Sequence, residues 1–518
     1  MQTNVSISGT IEISPAVKQR KGLLLPHDEN EAPLDKKGEL GQFLTPAPVA
    51  EFMASLFQSH WRSVNLLEAG AGDGALTTAL VRRLCRENRK PKSFSVTAYE
   101  IDPTMIASLR ANLASCQREC VRTGIAFSGA VHNTDFIEAV VPTLRGDLFA
   151  AQADRFNAVI VNPPYRKIRS DSPTRLLLRS VGIETSNLYA GFLALIFRLL
   201  SDGGEMVAIT PRSFCNGPYF RPFREDLLAR MSLRRLHVFD SRSAAFSGDD
   251  VLQENIIVHA VKSAEKPERV VISSSSGTPG GKVCEHVVPF TEVVSPSDPE
   301  QFIHLVGDAG QAIVRDTMTS LSTRLEELGL SVSTGRVVEF RAEEFLRQQP
   351  SRDTAPLIYP CHFDGGFVRW PKSSGRKPNA IVADDHTRDL LVPAEVYVLV
   401  KRFTSKEERR RVVACIYDPA RVPASAVGFE NHLNYFHVKG HGLGMDLAKG
   451  LAAFLNSTLV DTYFRQFNGH TQINATDLRN LRYPTRAQLI HLGRSVEAPA
   501  ANQRELDTLL ERELHATS

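Results

Sequence analysis

Short apolar runs rich in β-branched residues, at 64–68, 94–100, 125–131, 156–161, 205–210, 233–239 and 255–261, alternate with stretches whose apolar residues recur at helical spacing. The helical stripes are Val49, Phe52, Met53 and Leu56; Leu76, Ala79, Leu80 and Leu84; and Ile106, Leu109 and Leu113, followed by the long apolar 188–200 and the shorter 221–230. Strands that alternate with helices must be joined by crossovers, and right-handed crossovers give a mostly parallel α/β sheet. The pattern changes after 261. A Ser/Gly/Pro-rich stretch at 273–281 reads as a linker or flexible loop. Beyond it, short β-like runs at 332–340, 357–359, 396–403 and 411–417 are separated by Gly, Pro and charge. The expected organisation is a polar, flexible N-terminal arm over 1–36 with one docking segment at 22–26, an α/β domain over 37–264, and a separate mixed α/β domain over 265–518.

A chain of 518 residues is too long for one ordinary core, which agrees with that division. The formal net charge is only +3, so a surface for nucleic acid has to be a local basic patch. The seven cysteines are scattered. Cys116 and Cys120 lie one helical turn apart, but no second pair or His cluster completes a zinc site, so buried free thiols and no metal are expected. No run of about 18 apolar residues is present, and the first residues lack the apolar stretch of a signal peptide, so a cytoplasmic protein without a membrane span is expected.

The run 156–161 leads straight into Asn162-Pro163-Pro164-Tyr165. Neither proline can extend a sheet ladder, so the strand ends there and presents Asn162 and Tyr165 at its carboxyl end, where open α/β sheets bind ligands. The Asn162 amide oxygen and the Pro163 carbonyl can both accept from one exocyclic NH2, with Tyr165 stacked on the ring behind it. A Pro-rich turn that merely caps a strand is the plainer alternative. The first strand runs into Glu68-Ala69-Gly70-Ala71-Gly72-Asp73-Gly74 and then a helix. The third glycine of a dinucleotide fingerprint is absent from its usual interval, so no pyrophosphate grip is implied. Gly70 and Gly72 allow close approach to the backbone. Glu100, ending the next strand, can accept from two ribose hydroxyls, and Glu68 and Asp73 add negative charge. Three carboxylates would repel a phosphate but suit S-adenosylmethionine, which is cationic at sulfur and amine. Asp135-Phe136, after the third strand, can complete the pocket, with Asp135 accepting from the adenine N6 and Phe136 lying against the ring.

Gln42-Phe43-Leu44-Thr45-Pro46, the Glu68–Gly74 loop, Tyr99-Glu100-Ile101-Asp102, Asp135-Phe136 and Asn162–Tyr165 together resemble the ordered motifs of DNA adenine-N6 methyltransferases. The Thr-Pro motif first and a long domain last resemble the gamma class, the TaqI-type enzymes of type II restriction–modification systems. Asn187-Leu188-Tyr189-Ala190-Gly191-Phe192 and Pro211-Arg212-Ser213-Phe214 continue the match. The resemblance implies a Rossmann-like class I S-adenosylmethionine-dependent methyltransferase domain followed by a mixed α/β target-recognition domain. It implies cofactor contacts from Thr45, Glu68, Gly70, Gly72, Asp73, Glu100, Ile101, Asp135, Phe136 and Asn162. It assigns catalysis to Asn162, Pro163, Pro164 and Tyr165, and stacking on a flipped-out base to Tyr165 and Phe220, with Tyr219 as the neighbouring candidate.

Later segments, 401–411, 430–436 and 469–472, look like target-recognition regions of related methylases. Candidate DNA contacts are Arg402, Lys406, Arg409 and Arg410, placed to meet phosphates, and Asn434, His437, His470 and Gln472, of the kind that read base edges. Each is an ordinary solvated or loop residue on the plainer reading. The implied partner is double-stranded DNA in the nucleoid, with room for a separately encoded cognate restriction endonuclease and for action as a monomer. The competing functions are an N-methyltransferase acting on RNA or on a protein glutamine, and a DNA-recognition subunit with an inactive cofactor fold.

Overall fold

A computed structural model describes residues 44–146, 155–239, 254–276, 281–296, 298–305, 309–372, 375–404, 408–468, 472–497 and 502–515. The expected arm, 1–36, lies outside the described residues. The first part of the described chain runs α1 (Ala47–Ser55), β1 (Ser63–Ala69), α2 (Ala75–Arg86), β2 (Ser93–Tyr99), α3 (Pro103–Arg122), β3 (Ala126–His132), α4 (Phe136–Arg145), β4 (Phe156–Val161), α5 (Pro173–Ser180), α6 (Leu188–Leu199), β5 (Leu200–Pro211), α7 (Arg221–Arg230), β6 (Met231–Phe239), β7 (Asn255–Lys262), β8 (Arg269–Ser275) and β9 (Cys284–Pro289). The nine strands form one sheet in the order β3-β2-β1-β4-β5-β7-β6-β8-β9. The first five in that order are parallel, and β7 enters antiparallel between β5 and β6. This is the mostly parallel α/β sheet that the alternating pattern implies, in the class I methyltransferase arrangement that the resemblance implies.

Side-chain alternation places the core. Leu66, Ala158 and Ile160 face the cluster filled by α1, α2 and α3; Leu67, Val159 and Val161 face the cluster filled by α4, α6 and α7. Burying each such Leu, Val or Ile contributes about 1.5–3 kcal/mol, so β1 and β4 are clamped from both sides. Local signals start the helices. Asp102 accepts from the Thr104 N–H at 2.9 Å and Pro103 opens α3. Asp135 caps α4. The end of α1 is pinned to β5 by Glu205, which accepts from the N–H groups of Gln58 and Ser59 at 2.9 and 2.6 Å and from His259 at 2.7 Å.

The sheet does not stop at the boundary expected between 264 and 265, because β8 pairs with β6 and β9 with β8. The serines of the supposed linker begin inside β8. Ser273 and Ser275 each lie 3.0 Å from a ring nitrogen of His237 on β6, so small hydroxyl side chains serve there as hydrogen-bond partners; 277–280 lie outside the described residues. The thiol expectation also needs correction, since Cys284 and Cys361 are exposed and the other five cysteines buried.

The C-terminal region holds two further sheets. One has six strands in the order Ser331–Thr334, Leu433–His437, Tyr397–Lys401, Ala414–Tyr417, Phe367–Val368 and Phe363–Asp364; the other has five. The run expected to be a strand over 332–340 is a continuous strand only through Thr334; Val337 makes an isolated bridge to Glu430, and a three-residue helical turn follows at Glu339–Arg341. Helices α8 (Ala309–Ser320), α9 (Met445–Leu455), α10 (Thr458–Phe467), α11 (Ala475–Arg479), α12 (Arg486–Ser495) and α13 (Gln503–His515) complete the region. Helices α9 and α12 cross in near contact: a Cβ on Gly450 would lie 1.7 Å from the Leu489 carbonyl oxygen, and one on Gly493 1.8 Å from that of Asp446. Gly450→Ala is therefore expected to force the helices apart, at a cost of about 1–3 kcal/mol or more. Thermal unfolding should show a melting temperature several degrees lower; an unchanged transition would mean that the crossing is looser than this.

Candidate active site at the carboxyl ends of β1 and β4

The sheet order reverses between β1 and β4: β2 follows β1 on one side, while β4 adds on the other. A crevice opens at such a switch point, outside the carboxyl ends of the strands. Two loops border it, Gly70–Gly74 after β1 and Asn162–Tyr165 after β4. They are in contact. A Cβ on Gly70 would sit 3.8 Å from Pro164 Cδ and 3.9 Å from the Asn162 carbonyl oxygen. Gly70 and Gly72 have φ of 74° and 55°, a region that favours glycine. The N–H groups of Gly70 and Ala71 both donate to the Tyr99 carbonyl at 2.9 Å, which ties the loop to the end of β2. Leu44, 44% exposed, overhangs it, 3.0 Å from where a Gly72 Cβ would be.

The acidic groups converge, each in a different state. Glu100 is buried, and its two oxygens accept from the N–H groups of Gly72 and Asp102, both at 2.7 Å. Each carboxylate oxygen can accept more than one hydrogen bond. Beside it Ile101 is 47% exposed, an apolar face at the mouth of the crevice. Asp73 accepts from the Ala75 N–H at 3.1 Å, at the start of α2. Glu68 lies beneath the loop, 1% exposed, and takes a hydrogen bond from the Thr77 hydroxyl. Burial pushes its pKa up to about 8; the Thr77 bonds oppose this, and the charges of Asp73 and Glu100 add to it. Asp135 spends one oxygen on capping α4, accepting from Ile137 and Glu138 at 2.7 and 3.1 Å. Phe136 is turned inward, 2% exposed, with ring centroids 5.3 Å from Tyr99 and 5.0 Å from Phe192. It floors the crevice rather than forming an open wall.

At the proline corner, Asn162 Nδ2 donates to Thr45 Oγ1 at 3.1 Å. Pro46 takes the N-cap position of α1, and the Thr45 hydroxyl fixes the plane of the Asn162 amide. That orientation puts Oδ1 on the opposite arm of the amide. Pro163 is buried and Tyr165 half-buried, its hydroxyl donating to the Ile209 carbonyl at 3.1 Å. Burial raises the Tyr165 pKa well above its usual value, so the phenol stays neutral. Phe220 follows β5 and faces inward, 4% exposed and stacked on Tyr189, whereas Tyr219 is 77% exposed. Tyr189 also meets Tyr165 edge-on, 6.3 Å between centroids. Tyr189 was not singled out as a site residue from sequence; its place in the Asn-Leu-Tyr motif was the available signal.

The expected DNA contacts divide. Lys406 and His470 lie outside the described residues. Arg409 is exposed and Arg410 half-buried, while Arg402 donates to the Asn431 carbonyl at 3.2 Å and lies over the Phe403 ring. Gln472 is half-buried and bridges to Phe403. Asn434 is not placed to read a base. It is fully buried, donating to the Ile473 carbonyl at 2.8 Å and accepting from Thr334 at 3.1 Å, because its strand lies inside the six-stranded sheet. His437 has both ring nitrogens engaged, with Ser333 at 2.9 Å and the Gly440 N–H at 3.0 Å.

The residues of the crevice fit S-adenosylmethionine: two positive-φ glycines leave room where side chains would intrude, and the surrounding donor set is carboxylate. A cation beside Glu68 favours its ionised form, and in the ligand-free protein that form predominates only above about pH 8. Binding should therefore release close to one proton near pH 7 and tighten as pH rises, levelling off above about 8. Calorimetry in two buffers of different ionisation enthalpy checks this. Glu68→Gln should abolish the release, and a wild-type affinity that does not vary with pH would overturn the assignment.

Residues 107–246 match the family described as Eco57I restriction-modification methylase. The type II methyltransferase M.PstI of Providencia stuartii is 43% identical over 478 residues, 92% of this chain and 93% of that protein. The type II methyltransferase M.BsuBI of Bacillus subtilis is 44% identical over 483 residues, 92% of this chain and 94% of that protein. Among solved structures, the cryoEM structure of a DrdV–DNA complex aligns with 89% of this chain and 57% of that chain, at 11% identity and a TM-score of 0.48.

Proposed function

Because the chain belongs to the type II restriction–modification methyltransferases, we propose that it methylates N6 of adenine in double-stranded DNA, with S-adenosylmethionine as donor, after the base has been flipped out of the helix. The observation that carries this reading is the contact between the glycine loop and the Asn162–Tyr165 corner. Donor and acceptor of the methyl group then share one crevice. When bound, the cofactor supplies a methyl group activated by its sulfonium.

The chain's residues supply position. Asn162 Oδ1 and the Pro163 carbonyl accept from the two N–H bonds of the exocyclic amine, which draws its nitrogen from planar towards tetrahedral and localises a lone pair for in-line attack. The prolines and Thr45 hold both acceptors stiffly, so little ordering remains to be done when the base arrives. Tyr165 stacks on the base. Phe220, already held against Tyr189, packs on it from the other side of the pocket. Asn162, Pro163 and Pro164 carry no ionisable side chain and the Tyr165 phenol stays neutral, so catalysis rests on orientation and electrostatics. Glu68, Glu100 and the two glycines hold the donor. The C-terminal region, expected from 265 onward and here sharing β8 and β9 with the catalytic sheet, supplies target recognition. Arg402, Arg409 and Arg410 meet phosphates there. The protein acts as a monomer on the chromosome and protects sites against a separately encoded endonuclease.

DNA from cells expressing the protein, sequenced with modified-base detection, should carry N6-methyladenine at one short motif; methyl groups found on cytosine, RNA or protein instead would overturn the substrate assignment. Asn162→Ala and Tyr165→Ala should each lower transfer by about a hundredfold or more, as loss of a key transition-state contact does, with cofactor affinity within about twofold of wild type. Near-normal transfer by either variant would remove the corner from the mechanism.

The two aromatics after β5 can be ranked. Phe220→Leu keeps core volume and should lower the rate about tenfold, the scale of one base–aromatic stack. Tyr219→Ala should change the rate less than about twofold. The reverse order would move the stacking role to Tyr219.

A further inference from the structure

Tyr189 stands between the two rings assigned to the flipped base. It meets Tyr165 edge-on, with planes at 82°, and stacks on Phe220, with centroids 5.6 Å apart. Its hydroxyl lies 2.8 Å from Ser213 Oγ. The residue before that serine is Arg212, 5% exposed, whose Nη2 donates to the carbonyls of Arg465 and Gln466, both at 2.7 Å. These carbonyls belong to the C-terminal turn of α10, the end of a helix that favours a cation. Nη1 pairs with Glu254 at 3.1 Å. A guanidinium with three such bonds admits one geometry.

The same helix end anchors the segments in which DNA contacts were expected. Asn468, the residue after α10, accepts from Arg411 Nη2 at 2.7 Å. The Ile473 N–H donates to the Arg402 carbonyl at 2.7 Å, and Gln472 bridges to Phe403. A second tie runs from Asn216 Nδ2 to Asp477 on α11 at 3.3 Å. Contact is thus continuous from the C-terminal loops to α10, Arg212, Ser213, Tyr189 and the two base-holding rings.

We propose that Arg212, Ser213 and Tyr189 are positioning residues that couple the grip of the C-terminal region on DNA to the rings at the reacting corner. This rests on the function proposed above. A cognate site that seats the C-terminal loops fixes the end of α10, and Arg212 transmits that register to Tyr189. Tyr165 and Phe220 are then held at the spacing that a base requires. A non-cognate site leaves the rings out of register, so it is bound but methylated slowly.

The test is a double-mutant cycle in the full-length protein, on a duplex carrying the motif mapped by modified-base sequencing. Wild-type transfer to that duplex checks the underlying function separately. Arg212→Lys and Tyr189→Phe should each lower kcat about five- to tenfold, with KM for DNA and cofactor affinity within about twofold. The double variant should be no slower than the slower single one, since both cut the same connection. With 2-aminopurine at the target position, the fluorescence gain on binding should fall in parallel. Multiplying effects in the double variant, or losses confined to KM, would overturn the proposal. If Arg212→Lys lowers the melting temperature markedly, Ser213→Ala replaces it in the cycle: it removes only the hydroxyl facing Tyr189, and the same non-additivity is required of it.

Discussion

Reversal of strand order between β1 and β4 is the constraint from which the rest follows. Two neighbouring parallel strands whose connections leave in opposite directions cannot have their carboxyl ends covered by the same crossover, so a crevice remains between them. The loop after each strand is shaped for close approach. After β1 it uses glycines with positive φ, and after β4 two prolines that end the ladder. Neither loop could be set so close to the other on a sheet with a soft centre. The full burial of Ala158, Val159, Ile160 and Val161, with helices on both faces, gives the loops a rigid base.

That geometry creates an electrostatic problem, and the way it is met determines the ligand. Glu68, Asp73 and Glu100 interact across a small, partly dry space, where like charges repel strongly. Backbone N–H groups stabilise Glu100 and Asp73, and burial keeps Glu68 protonated near neutral pH. Like charge at these carboxylates would repel a phosphate. Two carboxylates held by backbone N–H groups, and a third whose pKa burial raises, favour a cation at this place. The same burial that makes Glu68 costly as an anion makes it responsive to a positive ligand.

Much of this was legible in the sequence because it is local. Helical and strand periods gave the catalytic elements, with ends that agree closely for β4 and α7. The glycine loop, Glu100 and the Asn162–Tyr165 corner were legible because backbone geometry demands those residue types there. Sequence position could not tell which face of an element a side chain takes. Asn434 and His437 look alike as polar residues in a loop-like stretch, yet a central strand puts the first in the core and occupies both nitrogens of the second. Phe136 reads as a pocket wall and is buried as part of the floor for the same reason. The boundary after 264 was misplaced because a serine-rich strand has the composition of a linker; the partner that makes it a strand, His237, is more than 30 residues away. Arg212 and Tyr189 lay inside recognisable motifs, but their partners, in α10 and after β5, are set by tertiary structure alone.

The junction between the catalytic sheet and the C-terminal helices carries directional polar bonds from Arg212 and Asn216, beside the apolar contact of Phe302 with Phe467. Arg224, fully buried, donates to the carbonyls of Phe214 and Gly217 at 3.0 and 2.8 Å and to that of Glu300 at 2.9 Å, so it fastens the segment after β5 at a second point. Buried charges of this kind add little net stability, because desolvation offsets most of the attraction. What they add is register. An apolar seam tolerates sliding by a fraction of an ångström at small cost, whereas a guanidinium bonded to two successive carbonyls loses its bonds over the same distance. The segment between β5 and α7 touches Tyr189 at one face and the C-terminal helices at the other. A stiff, unforgiving joint at that place is what a chain needs if a misfit at one region is to be felt at the other.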